Sequence, residues 1–154
     1  AFSLTCFHCN TTTGGNCEEH EKTCLPPYDT CITTLTEIQQ DKQKLPIKHL
    51  VKSCGERNLC NQTYSMSFNA TRLYASVTCC DSDKCKTNIP VVDDPKKEKD
   101  KENKHRCPYC NELLTKCNDP KTVSCYGKEY KCVSFKSKDG RYNTGNLSGC
   151  LWLH

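Results

Sequence analysis

The sequence has little that could build a large apolar core. Only 35% of its 154 residues are hydrophobic even with cysteine counted, 8% are aromatic, and there is one tryptophan and one methionine. A membrane-spanning helix needs about 20 consecutive apolar residues, and no run approaches that length. These shortages argue against a membrane span and predict thin cores that need stabilisation beyond apolar burial.

Features of catalytic and nucleic-acid-binding proteins are also missing. No nucleophile motif frames a serine, a histidine and an acidic residue, and no basic stripe is interleaved with aromatic residues. The net charge of +4 comes from residues 106–154, where eight Lys and Arg accompany four Asp and Glu; a scattered surplus of this kind is usually solvated. We therefore predict no enzymatic activity, no catalytic residue, no cofactor and no nucleic-acid partner.

What the sequence has in excess is cysteine, with 16 residues in a pattern that occurs twice. The first copy has intervals C-x2-C-x7-C-x6-C-x6-C-x22-C from Cys6 to Cys54, and the second has C-x2-C-x6-C-x7-C-x6-C-x17-C from Cys107 to Cys150. Only the first copy continues, through Cys60, Cys79, Cys80 and Cys85. Even, repeated spacing predicts a disulfide framework in two related modules, which persists only in an oxidising compartment.

The remaining pattern divides the chain and predicts short strands. Residues 90–105 lack cysteine and are mostly charged, so we expect a flexible linker between modules at 1–89 and 106–154. β-Branched and alternating stretches predict strands in the first module, with a hairpin tip between the second and third of them. These strands are residues 3–9, 30–38, 47–54 and 71–80, and the tip is residues 39–44.

Three short segments resemble a known family. Residues 4–9 (LTCFHC) and 77–85 (VTCCDSDKC) resemble the opening and the close of Ly-6/urokinase-receptor (LU, three-finger) domains. Residues 106–110 (RCPYC) look similar to the start of the second domain in two-domain members, of which the gamma-type phospholipase A2 inhibitors look closest. The resemblance implies a small disulfide-rich all-β fold, in which a complete three-finger domain precedes a second, C-terminally truncated LU-like module.

The resemblance also implies which cysteines pair. The implied first-module pairs are Cys6–Cys31, Cys9–Cys17, Cys24–Cys54, Cys60–Cys79 and Cys80–Cys85, with fingers at 6–24, 31–54 and 60–79. The implied second-module pairs are Cys107–Cys132, Cys110–Cys117 and Cys125–Cys150.

The sequence departs from the family at two points. The Asn that usually follows the last cysteine is replaced by Lys86, with Asn88 two residues on, which puts one hydrogen-bond anchor in doubt. The second module has no third finger, so we expect an exposed sheet edge there.

Two C-x2-C segments admit other chemistry. Cys107-Pro108-Tyr109-Cys110 has the letters of the glutaredoxin redox motif, whose chemistry needs a low-pKa thiolate at a helix N-terminus, and residues 112–116 could pass for that helix. Only 48 residues remain from Cys107, too few for the thioredoxin-like fold that carries this motif, and four more cysteines follow at the spacing of the first module. A structural zinc site would need two such pairs, here Cys6-x2-Cys9 and Cys107-x2-Cys110, or a matching histidine pair at suitable spacing. The five histidines are scattered, and in a secreted chain cysteine pairs are better explained as disulfides. We therefore predict structural disulfides and no metal.

Four N-glycosylation acceptor triplets support an extracellular location. They begin at Asn10, Asn61, Asn69 and Asn146. Together with the cysteines they predict a secreted glycoprotein, and we expect Ala1 to follow a signal-peptide cleavage.

Binding is the function that remains, since recognition residues usually sit on loops held by a rigid frame. The candidate residues are Gln40, Lys42 and Lys44 at the middle-finger tip and Tyr64, Met66 and Phe68 in the third finger. Their alternation places the last three on one face, either as a small core stripe or as an apolar contact patch. The predicted partner is a protein, either a secreted phospholipase A2 or a cell-surface receptor; a pheromone-like signalling role is a further alternative.

We predict that every cysteine is paired, because each module contains an even number. Alkylation of the folded, unreduced protein followed by intact-mass measurement should add nothing to its mass. Reduction before alkylation is the control, because it exposes all 16 thiols. An alkyl group incorporated into correctly folded, unreduced protein would contradict the prediction.

Overall fold

The computed structural model describes residues 3–92, 101–109, 121–136 and 146–153. This part of the chain contains ten β-strands and one short 3-10 helix, Arg57–Leu59. The strands are β1 (Thr5–Thr11), β2 (His20–Thr23), β3 (Thr30–Gln40), β4 (Ile47–Gly55), β5 (Thr63–Phe68), β6 (Thr71–Cys80), β7 (Glu102–Tyr109), β8 (Lys121–Tyr126), β9 (Lys131–Lys136) and β10 (Asn146–Leu153). The predicted small disulfide-rich all-β fold is confirmed.

The four strands predicted from the sequence correspond to β1, β3, β4 and β6 within about two residues at each end. The remaining six strands were not predicted as strands, although the alternation of Tyr64, Met66 and Phe68 on β5 was noted. On β6 four successive residues, Tyr74, Ala75, Ser76 and Val77, are all buried. Successive side chains point to opposite faces of a strand, so β6 is covered on both faces at its centre.

The chain divides into two compact units. The first comprises Ala1–Tyr64 and Leu73–Asp93, and the second comprises Ser65–Arg72 and Asp94–Leu153. The tip of the β5–β6 hairpin, which is the third finger, therefore belongs to the second unit. The boundaries predicted from the sequence, 1–89, 90–105 and 106–154, stay a prediction.

The first unit is built on a sheet with the strand order β2-β1-β4-β3-β6. β3 and β4 are antiparallel over nine residue pairs, from Thr30 opposite Gly55 to Ile38 opposite Ile47. β1 pairs first with β2 and then, from Cys9 opposite Lys52, with β4. The β-branched residues of β3 favour this long pairing because they pack well on a pleated surface.

Five disulfides hold the base of the first unit. They are Cys6–Cys31, Cys9–Cys17, Cys24–Cys54, Cys60–Cys79 and Cys80–Cys85, the pairs that the resemblance implies. Cys6, Cys24 and Cys31 form a buried cluster against which Leu4 and the other nearby cysteines pack. Sulfur thus supplies much of a core that the apolar side chains are too few to fill.

Threonine hydroxyls anchor the segment after Cys85, where the family's usual asparagine is replaced by Lys86. The Thr87 hydroxyl hydrogen-bonds the hydroxyl of Thr33, which is fully buried on β3. The Thr78 hydroxyl donates to the Asn88 carbonyl oxygen at 2.6 Å. The Lys86 ammonium instead lies 5.7 Å from the centroid of the Phe7 ring, where a cation is attracted to the aromatic face.

In the second unit β7 pairs with β8, and β10 lies between β5 and β9. Cys107–Cys132 and Cys125–Cys150 join these strands, and the implied Cys110–Cys117 pair lies outside the described residues. Among the described strands β9 lies at the end of this order. β7 begins at Glu102, inside the segment predicted as linker, because Glu102 pairs with Tyr126 of β8.

A buried carboxylate organises the turn that follows β8. Glu129 is fully buried; its carboxylate accepts hydrogen bonds from the Ser65 hydroxyl and, at 3.1 Å, from the Tyr126 N–H. The Asn103 side-chain amide donates to the carbonyl oxygens of Gly127 at 2.9 Å and Glu129 at 3.1 Å. A charge removed from water requires such donors, so these bonds specify how the turn lies in the second unit.

Gly149 allows a close approach between backbone segments within the second unit. A Cβ at this position would overlap the Ser67 carbonyl oxygen and lie 2.6 Å from a Phe68 ring carbon. We predict that Gly149→Ala lowers the free energy of unfolding by about 1–3 kcal/mol, as overpacking does. The measurement is denaturant unfolding with disulfides intact.

The matched control is Gly15→Ala, since a Cβ there meets only the Thr13 hydroxyl oxygen at 3.8 Å. That change should leave stability unchanged or raise it slightly. Equal unfolding midpoints for Gly149→Ala and the wild type would contradict the close approach.

The His8 imidazole continues the β1–β4 ladder at the point where β1 turns away to pair with β2. The Cys54 N–H donates to His8 Nε2 at 3.2 Å, a bond that only the neutral ring can accept. Burial, together with the charges of Lys22 and His20, lowers the His8 pKa below its ordinary value. The fold therefore favours the neutral ring.

We predict that the free energy of unfolding falls on acidification because the His8 ring becomes protonated. Because the His8 pKa is lower in the folded protein, the unfolded chain binds a proton at this ring more readily. The ring's contribution to stability is therefore present above the ordinary histidine pKa of about 6.5 and is lost as the pH falls below that value. Unfolding free energies measured at about pH 7.5 and about pH 5 should differ less in His8→Gln than in the wild type. His49→Gln is the control, because the His49 ring bonds a side chain rather than the backbone. If the free energy of unfolding changes with pH as much in His8→Gln as in the wild type, the role of this ring is refuted.

Candidate functional site

On β3 and β4 one face of the sheet is covered by other described residues. Residues directly opposite each other in antiparallel strands point to the same side, so the register places Thr33, Leu35 and Leu50 together, and all three are buried. The first finger covers them from one side, where Glu19 forms an ion pair with Lys52 of β4. The segment after Cys85 covers them through the bond between Thr87 and Thr33.

The opposite face carries no Lys, Arg, Asp or Glu in four consecutive rows of β1, β3 and β4, although charged residues make up 26% of the chain. We call it the uncharged face. Its residues are Asn10, Ile32, Thr34, Thr36, Ile38, Ile47, His49, Val51 and Ser53, and each is half-buried or exposed. Depletion of charge at the centre is what distinguishes protein-binding surfaces from ordinary surface, so this face has the composition of a docking surface.

Sequence reasoning did not identify this face, although a signal was present. Ile32, Thr34, Thr36 and Ile38 alternate along β3, but the intervening residues are also mostly β-branched or apolar. The alternation therefore could not show which set is buried. Only the register with β4 separates them.

The middle-finger tip is exposed and held in shape. Gln40, Lys42 and Lys44, predicted as binding residues, are all exposed. The Gln39 side-chain amide donates to the Gln43 carbonyl oxygen at 2.8 Å, and the Gln43 N–H donates to the Gln40 carbonyl oxygen at 2.9 Å.

Leu45, which directly follows this tip, was missed, although its side chain is 78% exposed. An apolar residue directly before a proline at the end of an otherwise polar hairpin tip was the available signal. The tip and the residue after it therefore combine an apolar side chain with two cations.

The third-finger residues share a face, as their alternation predicts, but this face is neither core nor fully exposed. Tyr64, Met66 and Phe68 are half-buried, whereas Ser65 and Ser67 between them are buried. The Tyr64 hydroxyl donates to the Gln62 side-chain oxygen at 2.8 Å, and burial raises the Tyr64 pKa. Tyr64 belongs to the first unit and the other two to the second. As binding residues they stay a prediction.

Three glycosylation acceptors are exposed in the structure, as attachment requires. Asn10 lies on β1, Asn61 follows the 3-10 helix with a φ of 58°, and Asn69 lies in the β5–β6 turn. The fourth, Asn146, belongs to β10, but its side chain lies outside the described residues. Occupancy of all four stays a prediction.

In the structure the described cysteines of the possible redox and zinc motifs form disulfides. Cys107 is fully buried on β7 and bonded to Cys132, not presented at a helix N-terminus; Cys110 and residues 112–116 lie outside the described residues. Cys6, Cys24 and Cys54 lie close enough together to suggest a metal site. Each is in a disulfide, and a disulfide sulfur cannot provide the thiolate that binds zinc.

The pairings and finger strands define an LU-type, disulfide-rich all-β protein. Among the described residues no helix has the length and apolar character to cross a membrane. A family model described as phospholipase A2 inhibitor matches residues 4–87, which is more than half of the chain.

Relatives extend the match into the second module. A phospholipase A2 inhibitor gamma subunit of Elaphe climacophora is 33% identical over 152 residues, covering 96% of this chain and 73% of the relative. The corresponding gamma subunit from Laticauda semifasciata is 33% identical, covering 88% and 74%. Phospholipase A2 inhibitor NAI of Notechis ater is also 33% identical, covering 82% and 62%.

The chain belongs to the phospholipase A2 inhibitor family. These relatives are named as inhibitors rather than enzymes, which supports the non-enzymatic, binding role expected from the sequence.

Proposed function

We propose that this chain is a secreted protein that binds a secreted phospholipase A2 and lowers its activity, and that the uncharged face makes the contact. The observation that carries the location is the absence of charge from the nine residues of that face. The relatives' names as phospholipase A2 inhibitors carry the partner.

The uncharged face suits protein association for two physical reasons. No Lys, Arg, Asp or Glu on it has to be stripped of water, a step that costs several kcal/mol per ion when no partner charge is supplied. Its side chains include Ile32, Thr34 and Val51, which are β-branched and have little rotamer freedom to lose. Binding therefore retains more of the free energy that burial releases.

The disulfides keep this surface in place before binding. Cys6–Cys31 and Cys24–Cys54 tie the first finger to the ends of β3 and β4. Reduction would release these strands and add an ordering cost to association. Reduced protein should accordingly bind more weakly than native protein.

The middle-finger tip lies at the end of the uncharged face and forms part of its rim. Lys42 and Lys44 are exposed there, and rim charges chiefly affect the rate of encounter and its salt dependence. The predicted binding residues at this tip therefore have a supporting role, and the strands carry most of the contact area.

Secretion is part of the proposal. Disulfides throughout both units need an oxidising compartment to persist, and Asn10, Asn61 and Asn69 are exposed acceptors for glycosylation.

The test places a charge on the uncharged face and the same charge elsewhere. Val51→Lys should weaken binding to a secreted phospholipase A2 by about 10- to 100-fold, because the ammonium must be desolvated in the interface. Ile89→Lys is the control, because Ile89 is 40% exposed and lies outside the uncharged face. It should change affinity less than about two-fold. Binding is measured on immobilised phospholipases of several types, with hydrolysis of phospholipid vesicles in parallel.

Two outcomes would count against the proposal. If native protein with intact disulfides binds none of the phospholipases at micromolar concentration, the partner is wrong, and a cell-surface receptor becomes the candidate. If Val51→Lys and Ile89→Lys weaken binding equally, the partner stands but the face is wrong. Inhibition that survives reduction would indicate competition for the lipid surface.

A further inference from the structure

One of the exposed glycosylation acceptors lies on the uncharged face itself. Asn10 is directly opposite Val51, and Val51 is directly opposite Thr34, so the three side chains form one row across β1, β4 and β3. Directly opposite residues have Cβ atoms about 4.5–5.5 Å apart. A sugar attached to Asn10 would therefore begin beside Val51.

The hydrogen bond of Asn10 is compatible with attachment of a glycan. His49 Nε2 lies 2.5 Å from Asn10 Oδ1, so the amide is held through its carbonyl oxygen, with the ring N–H as donor. An N-glycan attaches to the amide nitrogen, which this bond leaves available. The hydroxyl residue of the triplet, Thr12, is exposed as well.

The other described acceptors differ from Asn10 in position. Asn61 follows the 3-10 helix, and Asn69 lies in the turn between β5 and β6. Neither belongs to the four rows that make up the uncharged face.

We propose that a glycan on Asn10 occludes the uncharged face, so that the form competent to bind a phospholipase A2 is the one without a glycan at this position. The link to phospholipase rests on the function proposed above, whereas the occlusion rests only on the register and on the bond between Asn10 and His49. Occupancy of a single acceptor thus divides the secreted protein into a binding and a non-binding form.

The experiment compares two isosteric changes that each remove one acceptor triplet. Thr12→Val removes the Asn10 acceptor and leaves the Asn10–His49 bond in place. Thr63→Val removes the Asn61 acceptor and serves as the matched control. Both proteins and the wild type are made in a secretory cell line, and glycopeptide mass spectrometry gives the occupancy at each site.

The first readout needs no partner. Hydroxyl-radical footprinting of residues 47–53 should show at least about two-fold more oxidation in Thr12→Val than in wild-type protein occupied at Asn10, whereas Thr63→Val should match the wild type. Equal oxidation in Thr12→Val and the occupied wild type would overturn the occlusion. An Asn10 that is never occupied in the secreted protein would overturn the proposal as well.

The second readout is binding to the phospholipase panel. Thr12→Val should bind about ten-fold or more tightly than the occupied wild type, which corresponds to about 1.4 kcal/mol. Equal affinity would overturn the gating of binding while leaving the phospholipase function intact. If no form binds, the proposed function fails, and footprinting alone decides whether the glycan covers the face.

Discussion

The contact between two disulfides at the base of the fingers is the constraint on which the first unit depends. Cys6–Cys31 and Cys24–Cys54 each join the first finger to the central hairpin, and the sulfurs of Cys6 and Cys24 lie 3.3 Å apart. Their sequence separations are 25 and 30 residues, so each removes roughly 3–4 kcal/mol of chain entropy from the unfolded state in the usual estimate. Strands that share so small a core can project beyond it because their bases are covalently joined.

Because disulfides join the strands at the base of the fingers, the sheet does not have to bury both of its faces. The described residues cover one face of β3 and β4, through the first finger and the segment after Cys85, and the largest fully buried apolar side chain on that face is Leu50. The other face contributes little to a core and is therefore available for recognition. In the second unit buried Glu129 bonds both Ser65 and Tyr126 and so links residues far apart in the chain.

The sequence could predict what depends on spacing and alternation. Cysteine intervals and the resemblance indicated the disulfide pairs, and the β-branched run at Thr30–Ile38 predicted the central strand. The uncharged face could not be predicted, because β3 has apolar or β-branched residues on both sides and only pairing with β4 assigns them. The burial of Glu129 could not be predicted either. A lone acidic residue in a polar turn is normally exposed, and its partner Ser65 is 64 positions away in the chain.

The composition of the uncharged face reconciles solubility with binding. Four of its nine residues are aliphatic, namely Ile32, Ile38, Ile47 and Val51. The other five are polar, and they are Asn10, Thr34, Thr36, His49 and Ser53. Hydroxyl and amide groups hydrate the free face but are far less costly to desolvate than ions. An entirely aliphatic face would invite association with other copies, and a charged one would resist every partner that lacks a matching charge. Mixing isoleucine with threonine gives a surface that tolerates both water and a partner, so a bulky, hydrated group at Asn10 could control its access.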